Sequence, residues 1–185
     1  MNLVESIARA DRRALAASAL GCFDRCVPLL GADPAGDEVL RPLWTCLAED
    51  GAGWDERLTA ARDALRDGAA PGEAAEWTRR MLEAAPDTWE SGVWREWADA
   101  CSVAALRVHR MLDGAGDPAA GVAALREGRT EGMSPLVAAE LERQSRVLHT
   151  LGDNGAGGLR EALDVSTEGR RVVRAVVSRR ARSRA

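Results

Sequence analysis

The spacing of apolar residues between Asp11 and Leu30 is the feature that most limits how this chain can fold. Apolar side chains recur there every three to four residues, which is the period of an α-helix. They form two neighbouring stripes that cover about half of the helix circumference, which is more than a surface helix needs. The sequence therefore predicts a long central helix, capped by Asp11, with Ala17, Gly21 and Asp24 on a thinner polar side.

Helical spacing continues along nearly the whole chain, and no alternating apolar and polar run indicates a β-strand. Asp117-Pro118 and Ser134-Pro135 each combine a capping residue with a proline suited to a first turn. The further predicted helices cover about 41–49, 54–67, 73–84, 88–112, 117–126 and 134–151, followed by a flexible turn at 152–158 and a short helix at 159–163.

These segments suit one domain, because 185 residues are enough to enclose a substantial core. We predict a compact all-α bundle of seven or eight helices, with the first and the fifth at its centre. The helical domain covers residues 1–167, and residues 168–185 form an arginine-rich C-terminal helix or tail.

Composition excludes several chemistries. All 25 basic residues are arginine and tyrosine is absent, so a lysine nucleophile, a Schiff base and a tyrosine acid are ruled out. The abundance of Ala, Gly and Arg is typical of a high-GC genome, such as an actinobacterial one. Residues 1–13 lack a secretory leader pattern, and no stretch is apolar enough to cross a bilayer, so we expect a cytoplasmic protein without membrane contact.

The candidates for metal binding and catalysis are few. His109 and His149 lack the Glu-x-x-His spacing of di-iron bundles, and no Cys-x-x-Cys pair is present. Cys22 and Cys26 lie one helical turn apart, which favours buried free thiols over a disulfide or a zinc site. Without a nucleophile elbow or a phosphate loop, the sequence favours a protein without metal, cofactor or catalytic residues over an enzyme.

The tryptophans carry nearly all of the aromatic packing, since the chain has six of them and a single phenylalanine. Trp94 and Trp97 share an apolar helix face and are expected in the core. Trp89, near a predicted helix start, is a candidate for a partner-binding patch, with core packing as the alternative.

Charge is unevenly distributed. Residues 168–185 hold seven arginines and one glutamate and so carry +6, and because the whole chain carries −4, residues 1–167 carry −10. An acidic body disfavours nucleic-acid binding except through the C-terminal tail. The tail is either a solvated or docked helix, which we favour, or an attachment to nucleic acid.

Four polar residues interrupt otherwise apolar stripes and are the candidate binding residues: Arg25, Asp99, Glu140 and Gln144. Buried polar groups need partners or a cavity. Arg25 is suited to pair with either Asp99 or Glu140 across a helix interface. The four residues thus form either an internal salt-bridge and hydrogen-bond network or a pocket for a small ligand.

The same positions carry a resemblance to a known family. The shared motifs are Arg25-Cys26-Val27-Pro28, Leu43-Trp44, Asp99-Ala100-Cys101 with Ala105-Leu106, and Glu140 with Gln144. In these motifs the chain resembles the YjaG-like family, catalogued as domain of unknown function 416. The first part, with its Arg41-Pro42 helix start, is also similar to small helical immunity proteins of polymorphic toxin systems. The resemblance covers about residues 11–163, and it implies a compact helical cytoplasmic protein with no established activity.

Two functional hypotheses follow. The first is a non-enzymatic protein-binding module, in its specific form an immunity-like inhibitor of a basic protein toxin, because an acidic helical protein complements a basic partner. The alternative is a small-molecule-binding or enzymatic helical bundle, with a polar pocket between the first, fifth and seventh predicted helices. The sequence identifies neither the partner nor the oligomeric state.

Overall fold

A computed structural model gives the fold of the chain and describes residues 1–31, 38–66, 70–90, 92–114, 117 and 119–183. Within these ranges the regular secondary structure is entirely helical, which confirms the all-α prediction. The α-helices are α1 (Leu3–Arg9), α2 (Arg12–Cys26), α3 (Arg41–Ala48), α4 (Trp54–Arg66), α5 (Glu73–Glu83), α6 (Trp94–Asp113), α7 (Val122–Arg126), α8 (Pro135–Asn154) and α9 (Leu159–Ser183). Short 3-10 turns cover Val27–Leu30 and Gly155–Gly158.

Helix α2 is the centre of the fold. It packs against α6, α8 and α9, and every residue from Ala14 to Cys26 is buried. The predicted polar side of this helix is therefore wrong, since Ala17, Gly21 and Asp24 are enclosed as completely as the apolar stripes. Helix α9 covers that side, which hydrophobic periodicity within α2 could not reveal.

Local capping chemistry sets several helix starts. The Asp11 carboxylate accepts a hydrogen bond from the Ala14 amide at 2.8 Å, and the Ser134 hydroxyl accepts one from the Val137 amide at 3.3 Å. Both starts confirm the predictions made from the sequence. Asp117 does not cap α7, because its carboxylate accepts from the Ala119 amide instead and α7 begins only after Gly121. Pro118 lies outside the described residues.

Other boundaries also differ from prediction. Helix α6 begins at Trp94 rather than near residue 88, and α1 is a helix that the sequence patterns did not predict. The predicted loop at 31–38 falls largely outside the described residues, and in the predicted break at 67–72 the described residues 70–72 are not helical.

The C-terminal part of the chain is more helical than predicted. Helix α8 continues to Asn154, and a single 3-10 turn joins it to α9, so the predicted flexible turn and short helix at 159–163 are wrong. Helix α9 passes position 168 without a break and buries Arg170 and Val173. This segment is a helix docked on the body, in line with the favoured interpretation of the tail.

An aromatic cluster packs the region where α4 meets α6. Trp54, Trp94 and Trp97 are buried, with ring centroids 5.0 Å apart for Trp54 and Trp94 and 5.7 Å for Trp94 and Trp97. The edge-to-face arrangement is a favoured geometry for aromatic rings, and it confirms Trp94 and Trp97 as core residues. In the described part of the chain, no helix has the length and apolar character required to traverse a bilayer.

Candidate functional site

A buried ion pair joins α2 to α8. The Arg25 guanidinium donates two hydrogen bonds of 2.7 Å, from Nε and Nη2, to the two carboxylate oxygens of Glu140. Both side chains are at most 1% exposed. Between the two partners that the sequence allowed for Arg25, the structure places Glu140 in contact and not Asp99.

The charges of this pair stabilise each other. Burial alone would raise the pKa of Glu140, but the charge and hydrogen bonds of Arg25 hold that pKa below its ordinary value. Burial likewise disfavours the Arg25 cation, but Glu140 raises the Arg25 pKa above its ordinary value. The pair is therefore ionised inside the protein.

Gln144 extends the pair towards α6. Its side-chain amide donates to Glu140 Oε1 at 2.8 Å, and its carbonyl oxygen accepts from the Ser102 hydroxyl at 2.6 Å. Arg126 of α7 donates from Nε to that same hydroxyl at 3.1 Å and forms a salt bridge with Asp99. Asp99 thus belongs to the network through its far end, where its side chain is 51% exposed.

His109 faces the same carboxylate from α6. Its Nδ1 lies 2.7 Å from the Ala105 carbonyl oxygen, so Nδ1 carries a proton and donates it. Its Nε2 lies 3.5 Å from Glu140 Oε2 and has no hydrogen-bond partner. Because burial is the largest influence, the pKa of His109 is lowered despite the nearby carboxylate, and the ring is neutral near pH 7.

A second buried ion pair lies on the other side of α2. Asp24 accepts a 2.6 Å hydrogen bond from Arg170 of α9 and a 3.0 Å hydrogen bond from the indole of Trp44. All three residues are buried. Arg25 thus connects α2 to α8, and its neighbour Asp24 connects α2 to α9.

Sequence reasoning found part of this arrangement. Arg25, Glu140, Gln144 and Asp99 do lie in one connected network, although only the first three share a buried centre. The sequence patterns did not indicate Ser102 or Arg126, and they raised His109 only as a possible metal ligand or as the histidine of a catalytic set with Cys101 and Asp99. Asp24 was the available signal for the second pair, because a carboxylate within a long apolar helix needs a partner.

The geometry describes an internal network rather than an open pocket. Glu140 is fully buried, both of its oxygens accept hydrogen bonds from protein groups, and five surface clefts of the described residues are lined by other side chains. A carboxylate enclosed in this way holds helices in register and is poorly placed to exchange protons with a bound molecule.

The thiols are also enclosed. Cys22, Cys26, Cys46 and Cys101 are free and buried, and burial raises the pKa of Cys22 to about 12. They are therefore protonated and packed as small apolar groups. Among the residues that the structure describes, no group of three His, Cys, Asp or Glu side chains is arranged to hold a metal ion.

The turn between α3 and α4 forms a surface cleft of about 310 Å³ beside Trp89. Trp89 is half-buried, and its ring packs 4.9 Å from Trp94, measured between centroids. Four carboxylate residues line the cleft, and they are Glu49, Asp50, Asp55 and Glu90. Two of them are already paired, Asp50 with Arg13 and Glu49 with Arg57.

We compared the chain with protein-family models, curated proteins and solved structures. No significant match was found. The functional interpretation below therefore depends on the residues of this chain alone.

Proposed function

We propose that this protein is a non-enzymatic protein-binding module that captures a basic protein, in the manner of an immunity-like inhibitor of a basic toxin. The observation that carries the proposal is the net charge of −10 on residues 1–167, which make up most of the folded body. A surface with this charge attracts a basic partner over a distance and accelerates its association.

The cleft beside Trp89 is the part of this surface best suited to such a partner. Asp55 and Glu90 are exposed at its rim, next to the half-buried indole ring. An arginine or lysine of a partner would meet two exposed carboxylates there, which is a favourable setting for a cation. The guanidinium of Arg12, centred 5.7 Å from the Trp89 ring, shows that this ring already accommodates a cation within the protein.

The internal network supports the non-enzymatic part of the proposal. Glu140 and His109, which have the chemistry of an acid and a base, are at most 1% exposed and face each other inside the helices. The thiols are buried and protonated. A substrate would need a large rearrangement of α2, α6 and α8 to reach Glu140 or His109.

The experiment is capture of a partner with the tagged full-length protein from the source cell, at low and at moderate salt, followed by identification and measurement with the purified partner. The test variant combines Asp55→Arg with Glu90→Arg at the cleft. The matched control combines Glu142→Arg with Asp164→Arg, which makes the same change of charge at exposed positions of α8 and α9.

We expect a basic partner that binds the wild-type and control proteins in a salt-sensitive manner, with affinity for the cleft variant reduced by about tenfold or more, an order-of-magnitude figure for truncating a side chain at the centre of an interface. The proposal fails if no basic protein is retained at low salt. Equal reductions in the two double variants would keep the charge attraction but reject the cleft as the contact surface.

A further inference from the structure

The second half of α9 presents a basic surface that the proposed function does not use. Beyond Glu168 the sequence contains no further carboxylate side chain, while the helix continues to Ser183. Arg171, Arg179 and Arg182 are exposed, and none of them pairs with a carboxylate among the described residues.

This situation differs from that of three exposed arginines elsewhere in the described chain. Arg41, Arg66 and Arg129 each form a salt bridge with a carboxylate two or three residues away. Their charge is therefore largely neutralised within the surface. The charges of Arg171, Arg179 and Arg182 are not neutralised in this way and remain available to a partner.

The spacing of these arginines places them in a stripe along one side of the helix. Arg171 and Arg182 are separated by about three helical turns, so they lie on one face about 16 Å apart, and Arg179 lies beside that face. The other exposed residues between positions 171 and 182 are short, namely Ala175, Ser178 and Ala181. A partner can therefore approach the helix backbone closely along its whole length.

The stripe has the character of a polyanion-binding surface. A protein interface depends on buried aromatic or apolar anchors, and the exposed face between residues 171 and 182 offers none. A membrane-binding helix needs a free apolar side, but Val173 is buried and Val176 and Val177 pack against the core. Binding to nucleic-acid phosphates requires neither apolar anchors nor a free apolar side, since it is driven by the release of counterions.

We propose that the arginine stripe of α9, formed by Arg171, Arg179 and Arg182, binds the phosphate backbone of nucleic acid without sequence preference. The acidic body opposes this binding only locally. Glu168 is the carboxylate nearest to the stripe in the chain, and Glu73 lines the adjoining cleft. Charges act over about 8 Å at physiological salt, and of the three arginines only Arg171 lies within that distance of Glu168 along the helix, since Arg179 and Arg182 are about 16 Å and about 21 Å away.

The test is fluorescence anisotropy of a short labelled DNA duplex titrated with the full-length protein over a range of salt concentrations. The test variant replaces Arg171, Arg179 and Arg182 with glutamine. The matched control replaces Arg41, Arg66 and Arg129 with glutamine, which removes the same charge from exposed positions elsewhere. Circular dichroism of both variants verifies that the helices are retained.

We expect salt-sensitive binding by the wild-type and control proteins. In the α9 variant the slope of log affinity against log salt should become shallower by about 0.9 for each phosphate that is no longer neutralised, or about 2.7 in all. A scrambled duplex should bind equally well. Absence of duplex binding at low salt, or equal weakening in both variants, would overturn the proposal.

Two further probes separate this surface from other anionic partners. Poly-glutamate represents an acidic protein segment, and vesicles containing phosphatidylserine represent a membrane surface. Stripe-dependent binding to either probe that is tighter than binding to the duplex would overturn the assignment to nucleic acid. Weaker binding to both would support it.

Discussion

Gly169 of α9 lies directly against the side chain of Arg25 in α2. A Cβ atom at Gly169 would lie 2.9 Å from Arg25 Cγ, closer still to Cδ, and 3.0 Å from Arg143 Cδ. Because Gly169 has no side chain, α9 can cross over Arg25, and the Arg25 guanidinium can still reach Glu140. The ion pair between α2 and α8 thus depends on a glycine in a third helix.

Replacing Gly169 with alanine should therefore destabilise the protein. The new methyl group must displace an arginine stem whose guanidinium is held by two hydrogen bonds to Glu140. We expect a net loss of about 1–3 kcal/mol in the free energy of unfolding, even after the better helix propensity of alanine. Urea denaturation measures the change.

Gly152 supplies the control for this substitution. It lies in α8, and a Cβ atom there would meet no other atom within 4 Å. Gly152→Ala should leave stability unchanged or raise it by up to about 1 kcal/mol. If Gly169→Ala behaves in the same way, the close packing of α9 on Arg25 is wrong.

Removing one member of the Arg25–Glu140 pair should destabilise the protein more than removing both members. Arg25→Met leaves a buried carboxylate without its cation, and we expect a loss of about 3–5 kcal/mol in the free energy of unfolding. The double variant Arg25→Met with Glu140→Leu removes both charges and should recover most of that loss. Chemical denaturation of the two single variants and the double variant gives the coupling energy.

An exposed salt bridge provides the reference for this measurement. Arg146 and Glu161 form a salt bridge with side chains about half exposed, so Arg146→Met should cost about 1 kcal/mol or less. A similarly small effect of Arg25→Met would show that Glu140 is solvated or neutral in solution.

Local signals in the sequence predicted several helix starts because capping is a short-range interaction. Asp11 and Ser134 each satisfy an amide three residues ahead, so their roles are visible in the printed sequence. Helix α1 had the same kind of signal, a capping box formed by Asn2 and Glu5, but its length of seven residues gave little apolar periodicity.

The sequence limited the possible partners of the buried charged residues, but it did not identify which residues pair. The positions of Arg25 and Glu140 in apolar stripes marked both as groups that need partners, yet they lie 115 residues apart in the chain. The choice between Glu140 and Asp99 depended on how three helices pack. The role of Asp24 was missed for the same reason, because its partner Arg170 lies in a segment whose sequence is typical of a basic tail.

The glycine-rich segment after α8 illustrates a different failure. Its glycines indicated a flexible turn, but a Cβ atom at Gly158 would lie 2.7 Å from the Thr150 carbonyl oxygen. Gly158 therefore permits a close approach of the 3-10 turn to α8. Glycine content alone does not distinguish flexibility from tight packing.

The cysteines should be unreactive in the folded protein. All four are buried, and burial raises the pKa of each thiol, so almost no thiolate is present at pH 8. A thiol-specific reagent should label all four in denaturant and essentially none under native conditions. Rapid native labelling of any cysteine, located by peptide mapping, would contradict the packing of its helix.

Mild acid should destabilise the protein through His109. Its pKa is below the ordinary value of 6.5 in the folded state, so below about pH 6.5 the unfolded chain binds a proton that the folded protein does not. Stability is therefore full above this pH and falls as the pH decreases towards the folded pKa. Glu140, whose folded pKa is also lowered, adds a further loss at lower pH, below its ordinary value of 4.5.

The urea midpoint of unfolding between pH 8 and pH 5 measures the histidine effect. His109→Gln is the test variant, and His149→Gln, at an exposed position, is its control. The decrease between pH 6.5 and pH 5 should shrink in His109→Gln and persist in His149→Gln, since these are the only two histidines of the chain. A wild-type midpoint that rises on acidification through this range would mean that His109 gains its proton on folding and pairs with Glu140 as a cation.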